Sequence, residues 1–185
     1  MIEQLIIHQI GLSSEIYLRL IELCKMVYVR KNDFLLRQGK VCSFIGIVKS
    51  GVLRSYISKE GEEHNSDFYF EDFLPEFSHT GKECIGSIQA LEDSFIYCLD
   101  KSDYDRLLNE STEWYKLGKY IADTLFINKC RKETAMLTDD AYNRYKLLLK
   151  TYPNIEQHVS QYHIASYLGI RAESLSRIKS LNIGQ

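Results

Sequence analysis

The amino-acid sequence predicts an α+β fold, in which an N-terminal antiparallel β-roll precedes a long helix and a C-terminal helix-turn-helix. Short runs rich in Val, Ile, Tyr and Phe, separated by turn residues, fill residues 26–100. A helical pattern extends over residues 111–138, and a glycine joins two short helical patterns within residues 160–181. These observations divide the chain into a β-roll (1–110), a long helix (111–138) and a helix-turn-helix domain (139–185).

The composition is that of a globular protein. The chain has 185 residues, of which 45% are hydrophobic and 26% are charged, and its net charge is −2. Its five cysteines are odd in number and form no Cys-x-x-Cys motif, so neither a disulfide framework nor a zinc or iron–sulfur site is predicted. No run approaches 18 apolar residues. We therefore expect a cytoplasmic protein with no membrane partner.

The predicted roll follows a short helix. Residues 13–25 carry a helical apolar stripe with Ser13 or Ser14 as the N-cap. Glycines at Ser50–Gly51 and Glu60–Gly61 predict the turns of two successive hairpins. The predicted strands lie near residues 27–30, 34–37, 44–49, 52–58, 64–70 and 94–100. Antiparallel strands at this spacing form a small barrel or sandwich.

Helical patterns return after residue 100. Residues 101–110 predict a short helix capped by Ser102 or Asp103, and a further helix begins at Thr138 or Asp139 and ends before Pro153. Along 111–138 a near-heptad stripe consists of Leu117, Ile121, Thr124 or Leu125, Asn128, Arg131 or Lys132, and Ala135. This stripe has two interpretations, a dimer seam or packing onto the chain's own roll, and we favour the dimer seam because of its length.

The segment "SQYHIASYLGIRAESLSRIKSL" (160–181) predicts a helix-turn-helix. Gly169 is expected to end the first helix in the left-handed conformation, which a side chain would disfavour. Ala165 is small enough for the second helix to cross closely, and Leu175 and Ile178 give that helix its own apolar stripe. The alternative is an ordinary corner between two helices, without a DNA-binding role.

The second helix presents side chains suited to reading a DNA groove. Arginine pairs with guanine, glutamate accepts from cytosine, and serine contacts bases or phosphates. The candidate DNA-binding residues are Gln161, Arg171, Glu173, Ser174, Arg177 and Lys179. The alternative is a solvated face braced by a Glu173–Arg177 pair. Residues 150–185 carry four cations and two carboxylates, hence +2, which leaves −4 on residues 1–149 and indicates a basic tip on an acidic body.

Over nearly its full length the chain resembles the Crp/Fnr family of bacterial transcription regulators. The segment "RYKLLLKTYPNIEQHVSQYHIASYLGIRAESLSRIK" resembles the short Crp-like regulators of Bacteroidetes-type bacteria, and "GIVKSGVLRSYI" resembles the family's roll hairpin. The resemblance implies a roll like a cyclic nucleotide-binding domain with an effector pocket, and a homodimer formed through the long helix. It also implies double-stranded DNA with a pseudo-palindromic operator as a partner, and RNA polymerase as a further partner.

The predicted effector pocket departs from the family pattern. Cyclic nucleotide binders of the family carry Gly-Glu and Arg-Ser/Thr-Ala, whereas Pro75-Glu76 and Cys84, Ile85 and Gly86 stand here. Without the arginine a buried phosphate would lose its bidentate partner, so cyclic AMP is not expected, although Lys82 could supply a charge. The sequence does not identify the effector or a cofactor. His64, His79 and the five cysteines could serve as haem ligands, but their spacing does not indicate a haem site. The candidate pocket residues are Glu76, Lys82, Cys84 and Ile85.

Other readings lead to different functions. Arg171-Ala172 stands where relatives often have a better N-cap, and no wing is expected after Leu181, so affinity for DNA is expected to be low. A regulatory protein-interaction module with weak DNA binding is therefore the alternative. A metal enzyme of cupin type would need a His-x-His motif, but Asn65 and Ser66 follow His64. We expect no enzymatic activity.

Overall fold

Two antiparallel sheets form the N-terminal roll of the protein. The structure, a computed structural model, describes residues 2–74 and 81–182. The strands are β1 Lys25–Val29, β2 Phe34–Leu36, β3 Phe44–Ser50, β4 Leu53–Lys59, β5 Glu62–Tyr69, β6 Phe73–Leu74, β7 Ser87–Ala90 and β8 Ser94–Asp100. One sheet has the order β1-β8-β3-β6 and the other β2-β7-β4-β5. Apolar side chains of both sheets meet in a common cluster that includes Val48, Leu53, Ile88 and Ile96.

Both predicted hairpin turns are present. Gly51, between β3 and β4, has φ +91°, and a Cβ atom there would lie 2.2 Å from Ser94 Oγ. Only glycine fits this turn without displacing its neighbour. Between β4 and β5, Glu60 and Gly61 both have positive φ, 55° and 84°. This pattern is that of a tight hairpin turn, which matches the right-handed twist of its strands.

The six predicted strands are confirmed, whereas β6 and β7 were missed. β7 pairs with both β2 and β4, so it lies inside its sheet. Its sequence, Ser-Ile-Gln-Ala, has a single β-branched residue and no aromatic ring. Burial between neighbouring strands, and not intrinsic propensity, therefore determines this strand.

The N-terminal helical segment packs on the sheet that contains β3 and β8. The chain begins with α1 (Ile2–Gln4) and a π-helical segment (Leu5–Gln9), neither of which was predicted. The predicted helix follows as α2 (Ser14–Leu23), and Ser13 Oγ accepts a hydrogen bond from Ile16 N–H at 3.3 Å. Ile6, Leu20 and other apolar residues of this segment join a cluster with the sheet of β3 and β8.

The two helices after β8 differ in how well their starts were predicted. α3 spans Lys101–Leu108, and its N-cap is Asp100, so the predicted caps Ser102 and Asp103 were wrong. The cap lies earlier because β8 leads directly into the helix. α4 spans Thr112–Thr138, with Ser111 Oγ accepting from Trp114 N–H at 3.4 Å. The prediction of a helix over 111–138 is thus confirmed.

The C-terminal helices pack against one another and against the roll. They are α5 (Ala141–Thr151), α6 (Ile155–His158), α7 (Gln161–Leu168) and α8 (Ala172–Asn182). α5 is capped by Asp140, one residue after the predicted start, and α6 was not predicted. In residues 2–74 and 81–182, no helix has the length and hydropathy needed to span a bilayer. The predicted α+β order of roll, long helix and further helices is what the structure has.

Candidate nucleic-acid interface

The corner between α7 and α8 has the geometry of a helix-turn-helix. Gly169 adopts the left-handed conformation with φ +67°, as predicted. Ile170 N–H donates to Ala165 O at 3.0 Å, which closes a Schellman motif and turns the chain sharply. Ala165 and Leu175 are fully buried in the cluster that joins the two helices. The glycine and the small alanine therefore fix the angle at which α8 leaves α7.

Most of the predicted DNA-binding side chains face solvent. Gln161, Arg171, Glu173 and Arg177 are exposed, and Ser174 is half-buried. Glu173 and Arg177 lie four residues apart on α8 and share one face. Within the described part of the chain no ion pair joins them, so the predicted brace for Arg177 is not seen.

Lys179 is engaged within the protein. Its Nζ lies 2.6 Å from Glu156 Oε1, and Tyr145 donates its hydroxyl to the same carboxylate oxygen at 2.8 Å. Burial alone would raise the pKa of Glu156, but the hydrogen bonds from Lys179 and Tyr145 outweigh it and lower that pKa. The ion pair ties α8 to α6, and a phosphate contact by Lys179 would compete with Glu156.

A polar contact that the sequence did not indicate holds α7 against β5 of the roll. Asn65 N–H donates to Ser166 Oγ at 3.0 Å, and Ser166 Oγ donates to Glu63 O at 2.7 Å. Asn65 Nδ2 also donates to His163 O at 3.1 Å. Groups from the backbone and side chains of both elements thus satisfy one another across the contact.

Arg54 lies at the centre of this contact. Only 3% of the residue is exposed. Its guanidinium donates to Glu63 Oε2 at 2.6 Å and to Asn65 Oδ1 at 3.1 Å, and both Nε and Nη2 donate to Gln89 Oε1. A further bond, 3.1 Å long, runs from Nη1 to His163 Nδ1 on α7. One buried cation therefore connects three strands of the roll to the helix-turn-helix.

His163 is held neutral by this arrangement. Burial lowers the pKa of His163 to about 4, and the charge of Arg54 acts in the same direction. Because Arg54 can only donate, His163 Nδ1 must accept and the ring proton sits on Nε2. Protonating the ring would remove this acceptor and place two cations side by side.

Stability is expected to fall in acid because of His163. Between the ordinary pKa of 6.5 and about 4, the unfolded chain binds a proton that the folded chain refuses. The contribution is present above pH 6.5, declines as the pH falls, and levels off below 4, for a total of at most about 3 kcal/mol. Denaturant unfolding of wild type and His163→Asn between these pH values measures it. Parallel pH curves for the two proteins would contradict the assignment.

α4 presents two different faces. The predicted seam stripe faces inward: Leu117, Ile121 and Ala135 are buried in the chain's own cores, and Lys132 Nζ donates to Asn65 O and Ser66 O. The opposite side exposes a separate set of apolar residues, including Phe126 at 69% and Leu137 at 79% exposure. Tyr115 and Cys130 lie on the same side and complete this exposed stripe, whereas the partly exposed Ile127 and Met136 flank it and Met136 lies near Gly169.

Three of the four predicted effector-pocket residues lie within the described part of the chain. Glu76 lies outside the described residues. Lys82 and Ile85 are exposed, with Ile85 at 65%. Cys84 is buried in the apolar cluster between the sheets, where burial raises the pKa of its thiol. Cys84 therefore fills the core of the roll.

The sequence carried one weak signal for the Arg54 contact. Arg54 interrupts the apolar and small residues of "GVLRSYI", where strand periodicity turns it to the side opposite Leu53. A charge in the middle of a strand indicates a partner on that side. His163 is 109 residues away in sequence, so no local pattern could have identified it.

Comparisons with known proteins agree with the fold described above. Residues 26–111 match the family model described as the cyclic nucleotide-binding domain. Comparison with curated protein sequences gives no match. Among solved structures, FixK2 from Bradyrhizobium japonicum has a TM-score of 0.77 and 16% identity, with 85% of this chain and 83% of that chain covered.

Two further structures are similar over most of both chains. CLP from Xanthomonas campestris, a c-di-GMP responsive global regulator, has a TM-score of 0.69 and 14% identity, with 93% of each chain covered. A candidate transcriptional regulator of the crp/fnr family from Eubacterium rectale has a TM-score of 0.67 and 20% identity, with 90% of this chain and 82% of that chain covered. These likenesses establish the fold, an antiparallel roll of cyclic nucleotide-binding type followed by a long helix and further helices.

Proposed function

We propose that this chain is a dimeric, DNA-binding transcription regulator of Crp/Fnr type, which responds to an effector other than cyclic AMP. The observation that carries the proposal is the α7–α8 corner, with Arg171, Glu173 and Arg177 exposed beside it. An exposed helix behind a glycine corner can enter the major groove and place arginine and glutamate against base edges. The shared fold with the global regulator CLP and with the Eubacterium rectale protein of the crp/fnr family supports the same class.

Selection from random duplexes tests DNA binding directly. Purified protein is incubated with a pool of random double-stranded DNA, and bound duplexes are amplified and sequenced. A dimer is expected to enrich a pseudo-palindrome whose half-sites lie one helical turn apart, about 34–36 Å. Failure to enrich any sequence at low ionic strength, where phosphate contacts are strongest, would contradict the proposal.

Dimerisation is proposed through the exposed side of α4. Large apolar side chains that recur on one exposed side of a helix mark a surface that a partner can cover. Tyr115, Phe126 and Leu137 lie on one side of the helix, and a second copy of α4 can cover them symmetrically. The proposed seam is thus the side of α4 opposite to the stripe that the sequence indicated.

Sedimentation at micromolar concentration is expected to give about twice the 21.6 kDa chain mass. Phe126→Glu places a charge in the apolar stripe and is expected to yield monomer at the same concentration. Leu18→Glu, at an exposed apolar residue of α2, is the matched control and should leave the dimer intact. A monomeric wild type, or a Phe126→Glu protein that stays dimeric, would refute the seam.

Cyclic AMP is expected not to bind at physiological concentration. Cys84 lies in the core and Ile85 faces solvent at the positions where cyclic nucleotide binders carry Arg-Ser. A buried phosphate would lack its charge-assisted partner there. Isothermal titration calorimetry measures this. Saturable binding at micromolar nucleotide would show that another cation, such as Lys82, holds the phosphate.

A second candidate is a regulatory protein-interaction module with weak DNA binding. Two observations favour it: Lys179, one of the few cations of the tip, is paired with Glu156, and α7 is bound to the roll through Ser166 and His163. Both contacts reduce the number of polar groups of the helix-turn-helix that are available to a DNA phosphate backbone. An empty duplex selection combined with a stable dimer would favour this candidate.

A further inference from the structure

A large cavity lies where the roll, α4 and the C-terminal helices meet. Its volume is about 610 Å³, within the range typical of small-molecule sites. β5 and the chain after it supply one wall, the middle of α4 a second, and the segment from Thr151 to His158 a third. The cavity is separate from the predicted pocket residues Lys82, Cys84 and Ile85, none of which lines it.

Aromatic side chains from all three walls line this cavity. Phe70 packs against Tyr152 with ring centroids 6.0 Å apart and against His158 at 5.8 Å. Phe68 meets Tyr152 edge-on at 6.0 Å. Tyr120 of α4 also lines the cavity. Aromatic faces are apolar surfaces that nevertheless attract cations through their quadrupoles.

The polar lining is acidic. Asp67, Glu71, Asp72 and Glu92 line the cavity, and the described lining contains neither Lys nor Arg. Asp67 accepts a hydrogen bond from the Tyr152 hydroxyl and lies 3.7 Å from Lys129, and Glu92 pairs with His158 at 2.9 Å. In the described residues no ion pair engages Glu71 or Asp72. Asp72 accepts a hydrogen bond from Phe73 N–H at 2.7 Å, and burial raises the pKa of its carboxyl. The lining therefore has a surplus of negative charge.

We propose that this cavity binds an organic cation, an amine or quaternary ammonium group carried on an apolar or aromatic body. The half-buried rings of Phe70, Tyr120 and Tyr152 receive the body and face the cation. Glu71 and Asp72 neutralise the charge. An anion such as a phosphate would face four carboxylates without a lysine or arginine, which disfavours it strongly.

In the proposed function this cavity is the effector site of the regulator. Only the regulatory role of the bound cation rests on the proposed function, whereas its binding does not. The cavity is lined by Thr124, and Phe126 of the exposed stripe lies about 200° around α4 from it. A dimer formed through that stripe would leave the cavity open. Binding is measured without DNA, so the site and the DNA-binding proposal can fail separately.

The test uses three probes of one shape and different charge: 2-phenylethylamine, 2-phenylethanol and 3-phenylpropionate. Titrations of the full chain are followed by ligand-observed NMR and calorimetry at neutral pH. For so small a probe we expect a dissociation constant near about 1 mM for the amine. The carboxylate is expected to bind at least about tenfold more weakly, with the alcohol between them.

Two matched pairs of variants locate the site. Thr124→Trp fills the cavity and is expected to abolish amine binding, whereas Thr112→Trp, on the exposed first turn of α4, should not. Glu71→Gln with Asp72→Asn is expected to weaken the amine about tenfold without affecting the alcohol, and Glu60→Gln in the β4–β5 turn is its control. Thermal unfolding verifies that each variant is folded. Carboxylate binding as tight as the amine, amine binding that survives in folded Thr124→Trp, or no amine binding up to about 10 mM overturns the proposal.

Discussion

Replacing Arg54 by methionine is expected to lower the free energy of unfolding by about 3–5 kcal/mol. Methionine keeps much of the side-chain volume but donates no hydrogen bond. The Glu63 carboxylate, the Gln89 amide and the Asn65 amide would all lose their shared donor. The cost is large because the partners remain buried or half-buried after the cation has gone.

Denaturant unfolding measures this loss of stability. Two further variants separate the effect of the hydrogen-bond network from that of the charge alone. Arg54→Lys keeps the charge, but a point-like ammonium cannot serve Gln89, Asn65, Glu63 and His163 together, so it is expected to recover only part of the stability. Arg106→Met removes an arginine from an exposed pair with Asp103 and should leave the midpoint unchanged. An Arg54→Met midpoint equal to wild type would show that the network does not stabilise the fold.

The second large effect is expected on DNA. Arg177 is exposed on α8, and a bidentate arginine–guanine contact is typically worth about 1–3 kcal/mol of discrimination. Arg177→Ala is therefore expected to weaken operator binding by about tenfold or more and to relax preference at one position in each half-site. Glu173→Ala should relax specificity as well. Fluorescence anisotropy with selected and scrambled duplexes measures the affinity and the sequence specificity.

Lys179 provides the contrast for Arg177. If it contacts a phosphate, Lys179→Ala weakens all sequences alike and reduces the salt slope by about one. The pair with Glu156 sharpens this experiment, because Glu156→Gln frees the ammonium and is expected to act in the opposite direction. Arg177→Ala protein that enriches the same sites with unchanged affinity would contradict the recognition-helix assignment.

The sequence predicted features that depend on neighbouring residues. Ser111 as the cap of α4 and Gly169 at the corner follow from local rules, because capping and left-handed backbone are properties of a few adjacent residues. β7 and the Asp100 cap were missed because their surroundings in space determine them. The order of the elements was therefore easier to predict than their exact starts.

The candidate site divides in the same way. Exposure of Glu173 and Arg177 follows from helical periodicity once Leu175 is placed inside, whereas Arg171 precedes α8 and its exposure does not. The apolar stripe of α4 was identified, but a stripe does not say which surface covers it, and Leu117 and Ile121 pack on the chain's own roll. The contact of Arg54 with His163 and the aromatic, acidic cavity arise only when distant segments meet.

The apolar cluster shared by the roll and the C-terminal helices bears on whether these helices are a transferable module. One apolar cluster contains Val52, Phe68 and Leu91 of the roll together with Tyr145 and Leu148 of α5. A recombinant fragment beginning near residue 139 would display that surface to water and would be prone to aggregate. A chimera that joins these helices to another roll would need the roll side of the cluster rebuilt as well. Recombination would therefore preserve the two parts together, since the C-terminal helices share their apolar core with residues of the roll.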